Sequence, residues 1–104
     1  MKSEHEIQNE IRIALSPYAI IYRANVGKVY VPGGRFFGTG LPKGFPDLFG
    51  FRKSDGKAVF IEVKRPDGRL SQEQEYAGAL FSKFPVIYGV CHSVEDAVEL
   101  IKNA

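Results

Sequence analysis

The chain has 104 residues, of which 44% are hydrophobic and 25% charged, so it has the composition of an ordinary globular protein. We expect one domain over residues 1–104 with a single core. The only cysteine, Cys91, excludes an intramolecular disulfide, and no apolar run reaches the roughly 20 residues that a membrane span needs. We therefore expect a cytoplasmic protein without a membrane partner.

The net charge of +2 hides an uneven distribution. From Ile11 to Arg69 there are eleven Lys or Arg and only four acids, whereas both ends of the chain are acidic. A cluster of positive charge suits a polyanionic substrate such as DNA. A basic surface that only contacts water remains an equal alternative from charge alone.

The predicted elements follow the order helix, strand, a possible hairpin, strand, strand, helix, strand, helix. A helix is expected from Ser3 to Ser16, with Ser3 as its N-cap, and a strand from Ala19 to Arg23. Further predicted elements are a small hairpin of Lys28–Val31 and Arg35–Phe37, strands Asp47–Arg52 and Ala58–Val63, a helix Gln72–Phe84 capped by Ser71, a strand Pro85–Cys91 and a closing helix after Ser93. This order predicts a mixed α/β sheet covered by helices.

The segment from Ala24 to Phe45 is the least regular part of the sequence. It holds six glycines, two prolines, three basic residues, several aromatics and no acid. A long irregular segment inside a compact domain more often takes part in binding or catalysis than serves only as a connection. Its amides, cations and rings suit phosphates and exposed bases, although one or more of the rings is expected to be core.

Two carboxylates are predicted to meet where the strands Asp47–Arg52 and Ala58–Val63 pair. An Asp-Gly turn between these strands brings Asp47 opposite Glu62, or one diagonal step from it. Lys64 lies on the same strand face as Glu62. Two close acids repel unless a cation lies between them, and Mg²⁺ favours one or two carboxylates together with water and phosphate oxygens. This set is suited to metal-assisted cleavage of a phosphodiester.

The same residues also allow a plainer interpretation. An acid and a lysine two residues apart on a strand are most often a solvated edge with an incidental ion pair. Paired acids could also indicate a glycosidase, but Lys64 and the surrounding positive charge have no role in that chemistry.

Several short motifs make the chain resemble the VRR-NUC domain, a family of the PD-(D/E)XK nuclease superfamily. The matching stretches are Glu4–Gln8, Arg23–Asn25, Lys43–Leu48, Ile61–Pro66 and Leu70–Gln74. The resemblance implies a restriction-endonuclease-like mixed sheet flanked by helices, in the order αβ(ββ)ββαβα. It also implies a Mg²⁺- or Mn²⁺-dependent endonuclease that hydrolyses phosphodiester bonds in DNA.

The resemblance further assigns roles to single residues. Asp47, Glu62 and the Val63 carbonyl would hold the metal ion, and Lys64 would orient the attacking water. Gln74 matches the glutamine that the family adds to the motif, and Glu4 best matches its first-helix acid, before Glu6 and Glu10. The residues expected to contact DNA are basic or polar ones around this site, namely Arg23, Asn25, Lys28, Arg35, Lys43, Arg65 and Arg69.

Members made of this domain alone, from phages and bacteria, resemble Holliday-junction resolvases that act as homodimers. A four-way junction has approximate two-fold symmetry, which suits a dimer with two sites. We therefore predict a dimeric junction-resolving nuclease of a bacterial or phage-infected cell, with a role in DNA repair or recombination. A flap or nicking nuclease and a non-catalytic DNA-binding module of the same fold are the alternatives.

Overall fold

The computed structural model describes residues 1–24, 28–31, 33, 35–38 and 40–104, and for 28–31 and 35–38 it describes the backbone alone. Its elements are α1 (Glu4–Leu15), β1 (Ala19–Arg23), β2 (Lys28–Val31), β3 (Arg35–Gly38), β4 (Leu48–Arg52), β5 (Ala58–Val63), α2 (Gln72–Phe81), β6 (Ile87–Cys91) and α3 (Val94–Asn103). Their order is the predicted one. None of the helices in this part of the chain is long and apolar enough to cross a bilayer.

Several predicted boundaries were wrong by one to three residues. The helix α2 ends at Phe81 rather than Phe84, β6 begins at Ile87 rather than Pro85, and β4 begins one residue after Asp47. The first two errors share a cause, because Pro85 has no amide hydrogen and disfavours helical backbone at the residue before it. The last turn of α2 closes instead on Ser82, whose amide donates to the carbonyl of Gly78.

The main sheet has four strands in the order β1-β4-β5-β6. The strands β1, β4 and β5 are antiparallel neighbours, while β6 lies parallel to β5 and is reached through α2. The strands β2 and β3 form a separate antiparallel pair. This is the mixed sheet flanked by three helices that the resemblance implied, and it has the character of a restriction-endonuclease-like fold.

One face of the sheet forms the aliphatic core with α1 and α3. Side chains from alternate strand positions point to this face, and Leu48, Val59 and Ile61 are fully buried there. They belong to one apolar cluster with Ile7 and Ile11 of α1, and with residues of α3. This packing holds the first turn of α1 beside the ends of the strands.

The opposite face carries an aromatic layer beneath α2. The rings of Phe60 and Phe81 stack with centroids 4.3 Å apart, and those of Phe81 and Tyr88 stack at 6.1 Å. Phe45 meets Phe49, Phe60 and Phe81 edge to face at about 6 Å. Since Phe60 and Glu62 are two residues apart on β5, this apolar layer adjoins the Glu62 carboxylate.

The loop before β4 packs directly on the start of α2 at Gly44. Gly44 is buried with a φ of +92°, and a Cβ atom built there would lie 2.5 Å from the carbonyl oxygen of Glu73. This close approach places Asp47, three residues later, beside the N-terminus of α2.

We predict that Gly44→Ala destabilises the protein more than Gly56→Ala. Both glycines have positive φ, which costs about 1–2 kcal/mol for alanine, but nothing lies within 4 Å of a Cβ at Gly56. Because of the added clash, Gly44→Ala should lower the free energy of unfolding by more than about 2 kcal/mol. Urea unfolding of the two variants in EDTA measures the difference, and equal losses would contradict the close packing.

Candidate active site

The antiparallel register of β4 and β5 brings Asp47 and Glu62 together. Leu48 lies opposite Ile61 and Phe49 opposite Phe60, so the next pair outward is Asp47 and Glu62. This is the directly opposed arrangement, rather than the diagonal one that the sequence left open. The Asp-Gly turn sets it, with Gly56 at a φ of +73° and its amide bonded to the Arg52 carbonyl.

Asp47 is held by the backbone on both sides. Its Oδ2 accepts a hydrogen bond of 2.9 Å from the amide of Val63, and its own carbonyl accepts one of 2.8 Å from Ala24. The preceding residue, Pro46, is fully buried. The carboxylate is therefore fixed between β1 and the end of β5, with Oδ1 left for another partner.

Glu62 is the buried acid of the site. Only 1% of the residue is exposed, although it belongs to the strand face opposite the aliphatic core. Burial raises the pKa of the Glu62 carboxyl to about 9, and the hydrogen bond with Asp47 and the negative charge of that residue add to the effect. The positive charge of Lys64 lowers the pKa of Glu62 and so partly offsets this rise. Without a cation beside it, burial therefore favours the neutral, protonated form of Glu62.

Gln74 is oriented toward Glu62 by a capping box. The amide of Ser71 donates to Gln74 Oε1 at 2.8 Å, and the Ser71 hydroxyl accepts from the Gln74 amide at 3.1 Å. Because its oxygen is engaged with Ser71, Gln74 presents Nε2 to the other side and donates to Glu62 Oε2 at 3.3 Å. One local motif thus begins α2 and also aims a donor at the buried acid.

Lys64 follows directly after β5 and meets α1. Its Nζ lies 3.9 Å from Oε2 of Glu4, and its side chain is only 13% exposed. The other two acids considered for the first helix have different partners, since Glu6 caps α1 with Ser3 and Glu10 pairs with Lys2. Of the three, the structure brings Glu4 to the Lys64 side of the site.

A cleft of about 420 Å³ opens above these residues. Asp47, Lys64 and Gln74 line it together with two of the predicted DNA-binding residues, Lys43 and Arg69. The cleft is therefore lined by one acid, Asp47, and by the cations Lys43, Lys64 and Arg69, while Glu62, opposite Asp47, is buried.

The remaining predicted DNA contacts are placed differently. Arg65 is exposed and pairs with Asp67, and Arg23 is exposed at the end of β1 with its guanidinium 3.3 Å from His5. Lys28 begins β2 and Arg35 begins β3, but their side chains lie outside what the structure describes. Asn25 lies outside the described residues altogether.

His92 contacts the site although the sequence analysis did not assign it. It follows β6, and its Nδ1 lies 3.2 Å from the carbonyl oxygens of both Lys64 and Arg65, so the ring can donate to either. The signal that could have found it is the parallel pairing of β6 with β5, which puts the residues after both strands at one edge of the sheet.

The donor set fits a hard divalent cation. Asp47 and Glu62 supply carboxylate oxygens, and the Val63 carbonyl lies between Glu62 and Lys64 in the chain. Within residues 1–24 and 40–104 no three His, Cys, Asp or Glu side chains are grouped as a metal centre, so this site offers two acids and not three. Two acids plus a carbonyl leave the remaining positions to water and phosphate oxygens, as Mg²⁺ prefers.

We predict that Glu62→Gln stabilises the metal-free protein at neutral and alkaline pH. The raised pKa means that the wild type keeps a proton which the unfolded chain loses, so its free energy of unfolding falls as pH rises from about 4.5 to about 9. Glutamine has the shape of the protonated acid and does not titrate. The free energy of unfolding of Glu62→Gln should exceed that of the wild type by about 1–3 kcal/mol near pH 8, and the difference should vanish below pH 4.

Urea unfolding in EDTA across this pH range measures the effect, with Glu10→Gln as an exposed control that should show no comparable gain. A Glu62→Gln variant that is less stable than wild type at pH 8 would contradict the burial of an uncompensated acid.

The family comparison covers most of the residues of this site. The model of the VRR-NUC domain matches residues 36–95, which is more than half of the chain and includes Asp47, Glu62, Lys64 and Gln74 but not Glu4. No curated protein and no solved structure matches the chain significantly. The chain belongs to the VRR-NUC family, whose members are nuclease-type domains.

Proposed function

We propose that this protein is a Mg²⁺- or Mn²⁺-dependent endonuclease that hydrolyses phosphodiester bonds in DNA. The observation that carries the proposal is the pairing of Asp47 with buried Glu62 beside a cleft that Asp47 and Lys64 line together with Lys43 and Arg69. Two adjacent acids with a lysine beside them suit metal-assisted phosphodiester cleavage.

Asp47, Glu62 and the Val63 carbonyl would hold the ion. When bound, a divalent ion polarises the scissile phosphate and lowers the pKa of a coordinated water. Asp47 is suited to this role because its Oδ2 is already fixed by the Val63 amide, so Oδ1 is presented in one orientation. Gln74 supports Glu62 by donating to Oε2, which leaves Oε1 for the ion.

Lys64 would orient the attacking water and stabilise the negative charge that develops on the phosphate. Its ammonium group is held in position by Glu4, 3.9 Å away. His92 would steady the backbone that carries Lys64 by bonding to the Lys64 and Arg65 carbonyls. In this arrangement each reacting group is positioned by an element other than its own.

A non-catalytic DNA-binding module is disfavoured by the burial of Glu62. Phosphate binding needs cations at the surface, and the cleft already provides these through Lys43 and Arg69. Holding Glu62 against Asp47 away from water instead lowers stability. A module that only binds DNA gains nothing from that arrangement, whereas a metal site does.

The finer form of the proposal is a homodimer that resolves four-way junctions. Its support is the resemblance to stand-alone members of the family and the two-fold symmetry that a junction shares with a dimer. A flap or nicking nuclease would use the same site on a different substrate, and the choice between them is made by experiment.

We predict that Asp47→Asn, Glu62→Gln and Lys64→Ala each lower cleavage by at least about 100-fold while DNA binding in Ca²⁺ is retained. Lys57→Ala is the matched control, since Lys57 immediately precedes β5 and Lys64 immediately follows it. That control should cleave at close to the wild-type rate. Single-turnover cleavage with purified proteins provides the measurement, and full activity of Lys64→Ala would refute the assignment.

We predict that a labelled four-way junction is cut by paired, symmetric incisions in Mg²⁺ or Mn²⁺ and left intact in EDTA. Flap and plain duplex DNA of the same sequence are the controls. Cutting of flaps but not junctions would keep the chemistry and remove the junction-resolving form of the proposal. Cleavage that persists in EDTA would remove the metal-dependent chemistry itself.

A further inference from the structure

The outer side of α2 carries an exposed apolar stripe formed by Tyr76, Leu80 and Phe84. Tyr76 and Leu80 are four apart and lie on one side of α2, and Phe84 follows in the turn after the helix. Their exposed fractions are 74%, 43% and 57%. Single exposed apolar residues are ordinary, but three in a row along one helix indicate a surface that another molecule covers.

A groove of about 510 Å³ runs beside the stripe, between α2 and residues 42–45. Its lining is mainly apolar and includes Phe45, Ala77 and Phe81 in addition to Tyr76 and Leu80. The groove is large enough to receive an aromatic side chain. Lys43 and Phe45 line both this groove and the catalytic cleft, so the two adjoin near the contact of Gly44 with the Glu73 backbone.

The charges at the two ends of the stripe have opposite sign. Glu73 lies in the first turn of α2, and Lys83 follows its last residue; both are exposed. Each is five positions from Gly78, while Tyr76 and Leu80 are each two positions from it. The pattern is therefore self-complementary when two copies of α2 lie antiparallel about a two-fold axis at the level of Gly78.

In such a pair Tyr76 is level with Leu80 of the partner subunit, and Glu73 with Lys83 of the partner subunit. Both contacts occur twice, as an isologous interface requires. The acids of the first turn, Glu73 and Glu75, make the same surface a poor site for a DNA backbone. A second copy of this chain fits both the charge and the apolar pattern.

We propose that the α2 stripe is the surface through which two copies of this chain form a dimer. The inference rests on the dimeric form of the proposed function and names the interface that this form needs. The catalytic clefts lie at the N-terminal ends of the two helices, so an antiparallel pair separates them by at least the length of α2, about 15 Å. Both clefts remain related by the two-fold axis, as two cuts in a junction require.

Sedimentation velocity of the full chain without DNA, from about 10 to about 200 µM, tests the interface. We expect the wild type to populate a dimer in this range and Leu80→Arg to be monomeric. Ile13→Arg is the matched control, because Ile13 is an exposed apolar residue on α1, 74% exposed, and it should leave the dimer intact. The circular dichroism of all three proteins should agree, which excludes unfolding as the cause.

Charge reversal gives an independent test that does not depend on the apolar residues. Glu73→Lys and Lys83→Glu should each raise the dissociation constant, because each variant places like charges opposite one another. The double variant restores both pairs in the dimer and should recover most of the wild-type affinity.

The inference is overturned if the wild type stays monomeric at about 200 µM, if Leu80→Arg remains a dimer, or if the double charge variant is no better than the single ones. It is also overturned if Leu80→Arg weakens DNA binding without changing the oligomeric state. Because the association is measured without DNA, these results are distinct from a failure of the proposed nuclease activity, which would appear as loss of cleavage by the wild type.

Discussion

The pairing of Asp47 with buried Glu62 is the interaction on which the rest of this structure depends. Two acids in contact, one of them removed from water, are unfavourable unless a proton or a cation lies between them. The fold produces this contact through the register of β4 and β5, and maintains it through the backbone bonds of Asp47. The neighbouring side chains, among them Gln74 and Lys64, orient these two acids or oppose their charge.

The two sides of the sheet make different contributions. The aliphatic side anchors α1 and α3, and so places Glu4 near Lys64 and His92 beside the backbone after β5. The aromatic side supports α2 and shields Glu62 from water. Gln74 links that side to the site through the capping box that begins α2. The site therefore lies where both layers reach the same end of the sheet.

Much of this arrangement follows from local sequence signals. The Asp-Gly turn predicts the pairing of Asp47 with Glu62 because hairpin register depends on only a few residues. The alternation along β5 likewise predicts that Val59 and Ile61 face the aliphatic core, and both are fully buried. The capping serines Ser3 and Ser71 identify the helix starts, and both form capping boxes.

Other features depend on contacts between distant parts of the chain and carry no local signal. The depth at which Glu62 is buried follows from the aromatic layer, whose rings come from four elements and one loop. The contact of Gly44 with Glu73 and the bond of His92 to the Lys64 carbonyl also join segments about 30 residues apart. The end of α2 was misjudged because apolar periodicity continues to Phe84, although Pro85 prevents the helix from reaching it.

The most direct test of the central claim is the thermal midpoint of unfolding as a function of Mn²⁺, without DNA. An ion that binds between Asp47 and Glu62 in the folded state alone must raise the midpoint, even when its affinity is weak. We predict a rise for the wild type and for Lys57→Ala between zero and about 10 mM Mn²⁺, and none for Glu62→Gln or Asp47→Asn. An unresponsive wild type, or an equal rise in all four proteins, would contradict a metal site at this pair.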